Sequence, residues 1–310
     1  MIGNDIELAS RYLSDGKLVA FATETVYGLG ANALCNDAVA SIYNVKKRPS
    51  FNPLIIHSYS ISQLEKYVVF EERAKRFAEK FWPGPLTLVL PRRNDSISSI
   101  ASCGLDTLAV RIPNHPIALN LLEKCNLPIA APSANMSGKV SPSRASDVES
   151  EIGNQIAYIL DGGDCNVGIE STVLSLAGEF PTILRPGVIT IDMLREISPD
   201  VRFMSESDKV ENIIAPGMLA KHYSPSLGVE LNVTTSRIGY AFIGFGKMDF
   251  AVDINLSETG NLNQAAANLF RALRDLDDSE KYKGILVSKI PSDGVGYAIN
   301  DRLRRAAAKD

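Results

Sequence analysis

Residues 42–57 read IYNVKKRPSFNPLIIH, and the organisation of the whole chain is most legible from them. Val39, Ile42, Tyr43 and Lys46 fall at the i, i+3, i+4, i+7 spacing of one helix face. Pro49 disfavours the α conformation at Arg48, so the helix is expected to stop about there. Lys46 then occupies the last turn, with its stem over the core side and its ammonium beyond the edge, where the helix dipole favours a cation. Arg48 is released into a loop, and Asn52-Pro53 leads into a short apolar run that ends at His57. Two cations, an amide and an imidazole so gathered compose a cradle for an anion. Spacing alone fits a solvated helix terminus equally well.

Outward from this stretch, the pattern alternates short apolar strands with helices. Strands are expected near 18–22, 54–56, 86–90, 107–112, 128–131 and 156–160, and helices near 5–14, 61–69 and 71–81. The first strand delivers Thr23-Glu24-Thr25 at its carboxyl end, and Gly28 and Gly30 then permit a closely approaching backbone. TETVYGLG, residues 23–30, fits neither G-x-x-x-x-G-K nor G-x-G-x-x-G, so it is not a phosphate loop by pattern. In the strand at 107–112, Leu108, Val110 and Ile112 face one side while Thr107, Ala109 and Arg111 face the other. If buried, Arg111 needs an anionic partner, and its planar fork suits a carboxylate. Further polar groups follow strand exits at PSAN (132–135), at Ser137 and Ser141, at GIESTVL (168–174) and at ILRPG (183–187). Each of these reads as readily as an ordinary Ser/Gly/Pro turn.

The order Lys-x-Arg-Pro-Ser-x-Asn-Pro-Leu-Ile-x-His, after TETVYGLG and before SAN at 133–135, resembles the YrdC-like threonylcarbamoyl-AMP synthase family. APGMLAKHYSP (215–225) is similar to that family's interdomain loop, and GYAINDRLRRAA (296–307) resembles the accessory domain of its two-domain form. The resemblance implies an α/β fold: a YrdC-like twisted mixed sheet whose flanking helices form a concave cleft, plus a small Rossmann-like α/β C-terminal domain. It divides the chain into a catalytic domain at 1–202, a linker or lid at 203–226 and an accessory domain at 227–310. The accessory domain, with a strand near 238–245, a helix at 261–275, a strand at 284–288 and a helix at 296–308, is expected to serve packing, lid control or assembly rather than chemistry.

By the same resemblance the reaction is that of a nucleotidyltransferase. L-threonine, bicarbonate and ATP give threonylcarbamoyl-AMP and pyrophosphate, the first step of the threonylcarbamoyl-adenosine modification of tRNA. Threonine is expected against Thr25, His57, Arg111, Ala131 and Ser171. ATP is expected against Lys46, Arg48, Asn52, Thr107, Ser133, Asn135, Ser141, Arg185 and Tyr223. Lys46 and Arg48, with Mg²⁺ carried on the pyrophosphate, are expected to disperse charge on the phosphoryl oxygens. Lys221 and His222 are weaker lid candidates; Lys221 stands where the family often has Arg, which makes that cation's role less secure. A downstream threonylcarbamoyl transferase, and through it tRNA, would take the product. The oligomeric state is left open. Two alternatives stand beside this reading, an RNA-binding module of YrdC-like fold and a carbamoyl-adenylate transferase.

Bulk composition is compatible with all of this. The 310 residues are 45% hydrophobic and 22% charged, with a formal net charge of −4, enough chain for two domains. Neither 1–200 nor 201–310 is basic, which speaks against a protein whose main task is gripping nucleic acid. The four cysteines, Cys35, Cys103, Cys125 and Cys165, lack disulfide or zinc spacing and read as free thiols. The first residues lack the pattern of a signal peptide, and no apolar run reaches membrane-spanning length, so a cytoplasmic protein with no membrane contact is expected. No Ser-His-Asp triad, Cys-His pair or metal-ligand cluster is legible. The cations and hydroxyls suit positioning and charge stabilisation of a phosphate-bearing substrate.

Overall fold

A computed structural model of the chain describes residues 1–204 and 222–308. The larger sheet contains, among the described residues, β1 (Ile2–Gly3), β2 (Val19–Phe21), β3 (Gly28–Asn32), β4 (Ile55–His57), β5 (Leu86–Pro91) and β6 (Thr107–Arg111). It continues with β7 (Ile129–Ala130), β8 (Tyr158–Leu160), β9 (Thr172–Ser175), β10 (Thr182–Arg185) and β11 (Arg202–Phe203). Their order across the sheet is β1-β8-β2-β3-β7-β4-β6-β5-β9-β10-β11, with parallel and antiparallel pairs intermixed. The second sheet is β12 (Val229–Leu231), β13 (Ala241–Gly244), β14 (Ile254–Asn255) and β15 (Ile285–Val287), in the order β12-β15-β13-β14 and parallel throughout. Its β14-to-β15 crossover runs through a helix, Leu262–Asp275, and a second helix, Gly296–Ala306, follows β15, which gives the Rossmann-like unit.

The α-helices among the described residues are α1 (Ile6–Ser14), α2 (Asn36–Lys46), α3 (Ile61–Leu64), α4 (Glu72–Phe81), α5 (Ser99–Ser102), α6 (Pro116–Cys125), α7 (Ala145–Ile152), α8 (Ile191–Arg195), α9 (Leu262–Asp275) and α10 (Gly296–Ala306). Local chemistry sets most of their ends. Asp5 caps α1 by accepting from the Leu8 amide, and Thr190 and Asn261 do the same for α8 and α9. In α4, Ala74, Phe77, Ala78 and Phe81 are the buried face, as their spacing requires. The core of the first unit packs α2 and α4 against the central strands through Val39, Ile42, Phe77, Leu88 and Val110. A second core, built on α9 and α10, holds Leu269, Phe270, Ile299 and Leu303. None of the described helices is long and apolar enough to cross a membrane.

Several elements depart from expectation. The helix expected over 61–69 stops at Leu64, because Val68 turns into a bridge with Arg92. Gly28 and Gly30 lie in β3 itself, antiparallel to β2, rather than in a tight loop. A Cβ on Gly30 would sit 2.9 Å from the Phe21 ring and 3.0 Å from Ile129, so the close approach is real but belongs to a strand. The strand near 238–245 shortens to Ala241–Gly244, with Ile238 wholly exposed. Helices α6 and α7 were not anticipated; Pro116 opens α6 and Asp147 accepts from the backbone at the start of α7. β11 pairs with β10 in parallel, Thr182 opposite Arg202 and Ile183 opposite Phe203. Most of the expected linker, with Lys221, lies outside the described residues.

The two units meet through polar as well as apolar contacts. Arg274 pairs with Glu151 at 2.8 Å and Arg271 with Asp164 at 2.5 Å. Gly168 lies so close to α9 that a Cβ there would strike the backbone of Ala267.

Candidate active site

The strand exits predicted from sequence converge on one cleft. In the parallel pair β4–β6, Ile55 is opposite Ala109 and His57 opposite Arg111, so these four side chains share a face. Ile55, His57 and Arg111 of that face line a cleft open to solvent. Thr25, Arg48, His57, Arg111, Ala131, Ser133, Ser171, Arg185 and Tyr223 line it, together with Thr23, Glu170 and His222.

At one end Arg111 is almost wholly enclosed. Its Nε donates to the Gly84 carbonyl at 3.2 Å, and one terminal nitrogen donates to Thr25 Oγ1 at 3.0 Å. The other lies 2.7 Å from Glu24 Oε2. Thr23 spends its single hydroxyl proton on the Val26 carbonyl at 2.6 Å, so the 2.8 Å contact between the two threonines is donated by Thr25. A directed chain runs from Arg111 through Thr25 and Thr23 into the backbone. The anionic partner that burial of Arg111 demands is therefore Glu24, within the TET segment. The missing signal was register: only the strand arrangement brings residue 24 to residue 111.

His57 is buried beside Arg111, with its Nδ1 3.3 Å from the Ile55 carbonyl. Burial and then the Arg111 charge push its pKa down to about 3, so the ring is neutral at physiological pH. It can accept or donate one hydrogen bond but supplies no charge.

The other end is cationic. Arg48 is tied to its own loop, donating through Nε to the Asn52 carbonyl at 2.9 Å and through a terminal nitrogen to Pro53 at 2.8 Å. Arg185, buried, donates through Nε to the Ser171 carbonyl and through a terminal nitrogen to Ser171 Oγ, each at 3.1 Å. Ser171 Oγ also lies 2.7 Å from Thr87 Oγ1 on β5. Burial lowers the pKa of both arginines, and like-charge neighbours push the same way. An anion entering here would relieve that accumulation of positive charge.

Lys46 is where the structure corrects the sequence reading most. Its ammonium is not beyond the edge; it is folded under the loop, donating to the Ser133 carbonyl at 2.6 Å and to the Asn135 carbonyl. Burial, followed by the nearby Arg48 charge, pushes its pKa well below the usual lysine value. Lys46 thus builds the floor of the cleft instead of lining it. The helix ends at Lys46, with Lys47 left-handed at φ +50°.

Four more expected residues lie off the cleft surface. Asn52 supports Arg48 through its carbonyl. Asn135 is buried, its side-chain amide donating to the Met136 and Lys139 carbonyls. Ser141 donates to Glu170 Oε1 at 2.6 Å. Thr107 stands half-buried at the far end of β6 from Arg111, opposite Pro91.

The described chain re-enters at His222 and Tyr223. Tyr223 is buried in the left-handed region at φ +64°, a strained geometry for a tyrosine. Its ring stacks on Phe270 of α9, centroids 5.2 Å apart, and burial first, with Glu170, raises its pKa to about 12. Burial lowers the His222 pKa to about 3. Sequence reasoning placed Ser171 and Thr172 on the active-site face ahead of Glu170, and missed Arg302 of α10 altogether. Burial alone would raise the Glu170 pKa, but the charges of Arg302 and Arg185 and the Ser141 hydrogen bond bring it down to about 2. All four cysteines are free, and no metal-binding cluster of His, Cys, Asp and Glu occurs among the described residues.

Comparison with known proteins agrees with this architecture. Residues 11–187 match the family of Sua5, YciO and YrdC proteins described as telomere recombination, and residues 189–308 match the C-terminal domain of threonylcarbamoyl-AMP synthase. The chain is 41% identical to the threonylcarbamoyl-AMP synthase of Bacillus subtilis, over 97% of this chain and 92% of that protein. It is equally identical to the Pyrococcus abyssi enzyme of the same name, over 97% and 94%. The crystal structure of P. abyssi Sua5 complexed with L-threonine superposes with a TM-score of 0.89 at 38% identity, covering 99% of this chain and 97% of that one.

Proposed function

The chain belongs to the threonylcarbamoyl-AMP synthase family, and we propose accordingly that it joins L-threonine, bicarbonate and ATP into threonylcarbamoyl-AMP, releasing pyrophosphate. The observation that carries this reading is the polarity of the cleft: Arg111, Thr25 and neutral His57 at one end, Arg48 and Arg185 at the other. An amino acid carboxylate suits the first end and a polyphosphate the second.

The threonine amine first attacks bicarbonate, giving a carbamate and water. A carbamate oxygen then attacks the α-phosphorus of ATP, and the bond to the β-phosphate oxygen breaks to release pyrophosphate. Arg111 and Thr25 orient the amino acid, with Ser171 and the backbone at Ala131 enclosing it. Arg48 and Arg185, beside Ser133 and Tyr223, face the phosphates and disperse the charge that grows on them. Lys46, Asn52, Asn135 and Ser141 hold the loops that carry these groups. Mg²⁺ enters on the triphosphate. Positioning supplies the acceleration, so no side chain need act as general base.

The proposed organisation is a catalytic unit at 1–202, a linker at 203–226 and an accessory unit at 227–310. The product passes to a threonylcarbamoyl transferase acting on tRNA in the cytoplasm. Pyrophosphate release from ATP and Mg²⁺, with threonine and bicarbonate supplied or omitted in turn, tests the reading. Release that requires both supports it, as does loss of release with serine or alanine. Release without threonine would make the protein a carbamoyl-adenylate enzyme, and none at all would remove the synthase reading.

A further inference from the structure

Glu170 is an odd wall residue for an anion site. It lines the cleft that holds Arg48, Arg111 and Arg185, and its carboxylate would repel any phosphate brought beside it. The chain meets this with a group from the other unit. Arg302, on α10, is fully enclosed, and its Nε donates to Glu170 Oε2 at 3.0 Å. The second oxygen, Oε1, accepts from Ser141 at 2.6 Å. Both carboxylate oxygens are thus engaged. The same guanidinium donates to the Pro186 carbonyl at 2.8 Å, next to Arg185, and its carbon stands 5.5 Å from the centre of the Tyr223 ring. It also donates to its neighbour Asp301 at 2.9 Å, so one side chain from the C-terminal unit holds two carboxylates, the turn after Arg185 and the aromatic wall.

We propose that Arg302 is a positioning residue of the nucleotide end of the cleft: it neutralises Glu170 and so lets a polyphosphate approach Arg185. This rests on the reading of the cleft as a threonine and ATP site. The C-terminal unit then contributes to the chemistry, contrary to the expectation that it serves only packing, lid control or assembly. The inference is specific about charge. A buried ion pair broken on one side leaves the remaining charge uncompensated, whereas replacing both partners with neutral groups is often tolerated.

The test is steady-state pyrophosphate release by the full-length chain with Mg²⁺–ATP, threonine and bicarbonate, alongside thermal unfolding of every variant. Arg302→Met is expected to raise KM for ATP by about tenfold or more while kcat and KM for threonine change less. Adding Glu170→Gln to Arg302→Met is expected to bring KM for ATP back to within about threefold of the parent. Arg302→Lys, which keeps the charge, is expected to stay within the same range and serves if Arg302→Met does not fold. A folded double variant as impaired as Arg302→Met would overturn the proposal. So would an unchanged KM for ATP in Arg302→Met, or a rise of tenfold in folded Arg302→Lys. Inactivity of the parent chain is a different failure, that of the synthase reading itself.

Discussion

The carboxylate of Glu24 lies 2.7 Å from the guanidinium of Arg111, with both side chains closed off from solvent. The pair joins the exit of β2 to the end of β6 across three intervening strands. It means that the arginine read as a substrate clamp is also a structural cation, and the two roles are separable. Arg111→Ala should abolish threonine binding by calorimetry and lower stability by about 3–5 kcal/mol, since Glu24 is left uncompensated. Arg111→Met with Glu24→Gln should regain most of the stability and none of the threonine affinity. Intact affinity in either variant would remove the clamp.

Lys46 and Arg48 should lose turnover for different reasons. Lys46 holds the Ser133 and Asn135 carbonyls, so Lys46→Ala leaves buried acceptors without donors and should cost about 1–3 kcal/mol in stability. Arg48→Ala removes the donors to the Asn52 and Pro53 carbonyls in a half-buried loop, so it should cost less stability than Lys46→Ala and reduce kcat by about a hundredfold. In both, turnover should fall more than threonine affinity. Thermal melts beside pyrophosphate kinetics separate the two; unchanged turnover in both would end the assignment of this loop to phosphate.

His57 makes stability depend on acidity. Its pKa is about 3 in the folded chain against an ordinary value near 6.5, so between those values the unfolded chain binds more protons. The stabilisation is complete above about pH 6.5 and is lost as pH falls toward 3. One such group contributes a slope of up to about 1.4 kcal/mol per pH unit. Urea unfolding at pH 7, 6 and 5 should show a shallower slope for His57→Asn than for the parent chain. His222, also lowered to about 3, adds to the slope and should persist in that variant. Equal slopes would mean that His57 is solvated in the folded chain.

Gly168 sets the seam between the units. At φ +73°, with the Ala267 backbone where a Cβ would stand, Gly168→Ala meets both conformational strain and overpacking. A loss of about 2 kcal/mol or more is expected, read as a lowered melting temperature and earlier proteolysis at the seam. A variant that melts like the parent would show that α9 can shift to accommodate the methyl group.

Local pattern alone determined much of this protein. The 3.6-residue spacing in 39–46 and 74–81 and the alternation in 107–112 are satisfied within a few residues, so they appear in the structure where the pattern puts them. The motifs at 23–30, 46–57, 132–135, 168–174 and 183–187 were legible as strand exits, and the resemblance they carry holds along nearly the whole chain. What a side chain faces was not legible in the same way. Lys46 turns under a loop rather than out, Glu24 finds Arg111, and Arg302 reaches Glu170 from 132 residues away. Each is a buried charge, and a buried charge must find its counter-charge or carbonyl wherever the packed chain brings one. That choice depends on sheet order and on the docking of two units, long-range facts that no local spacing encodes.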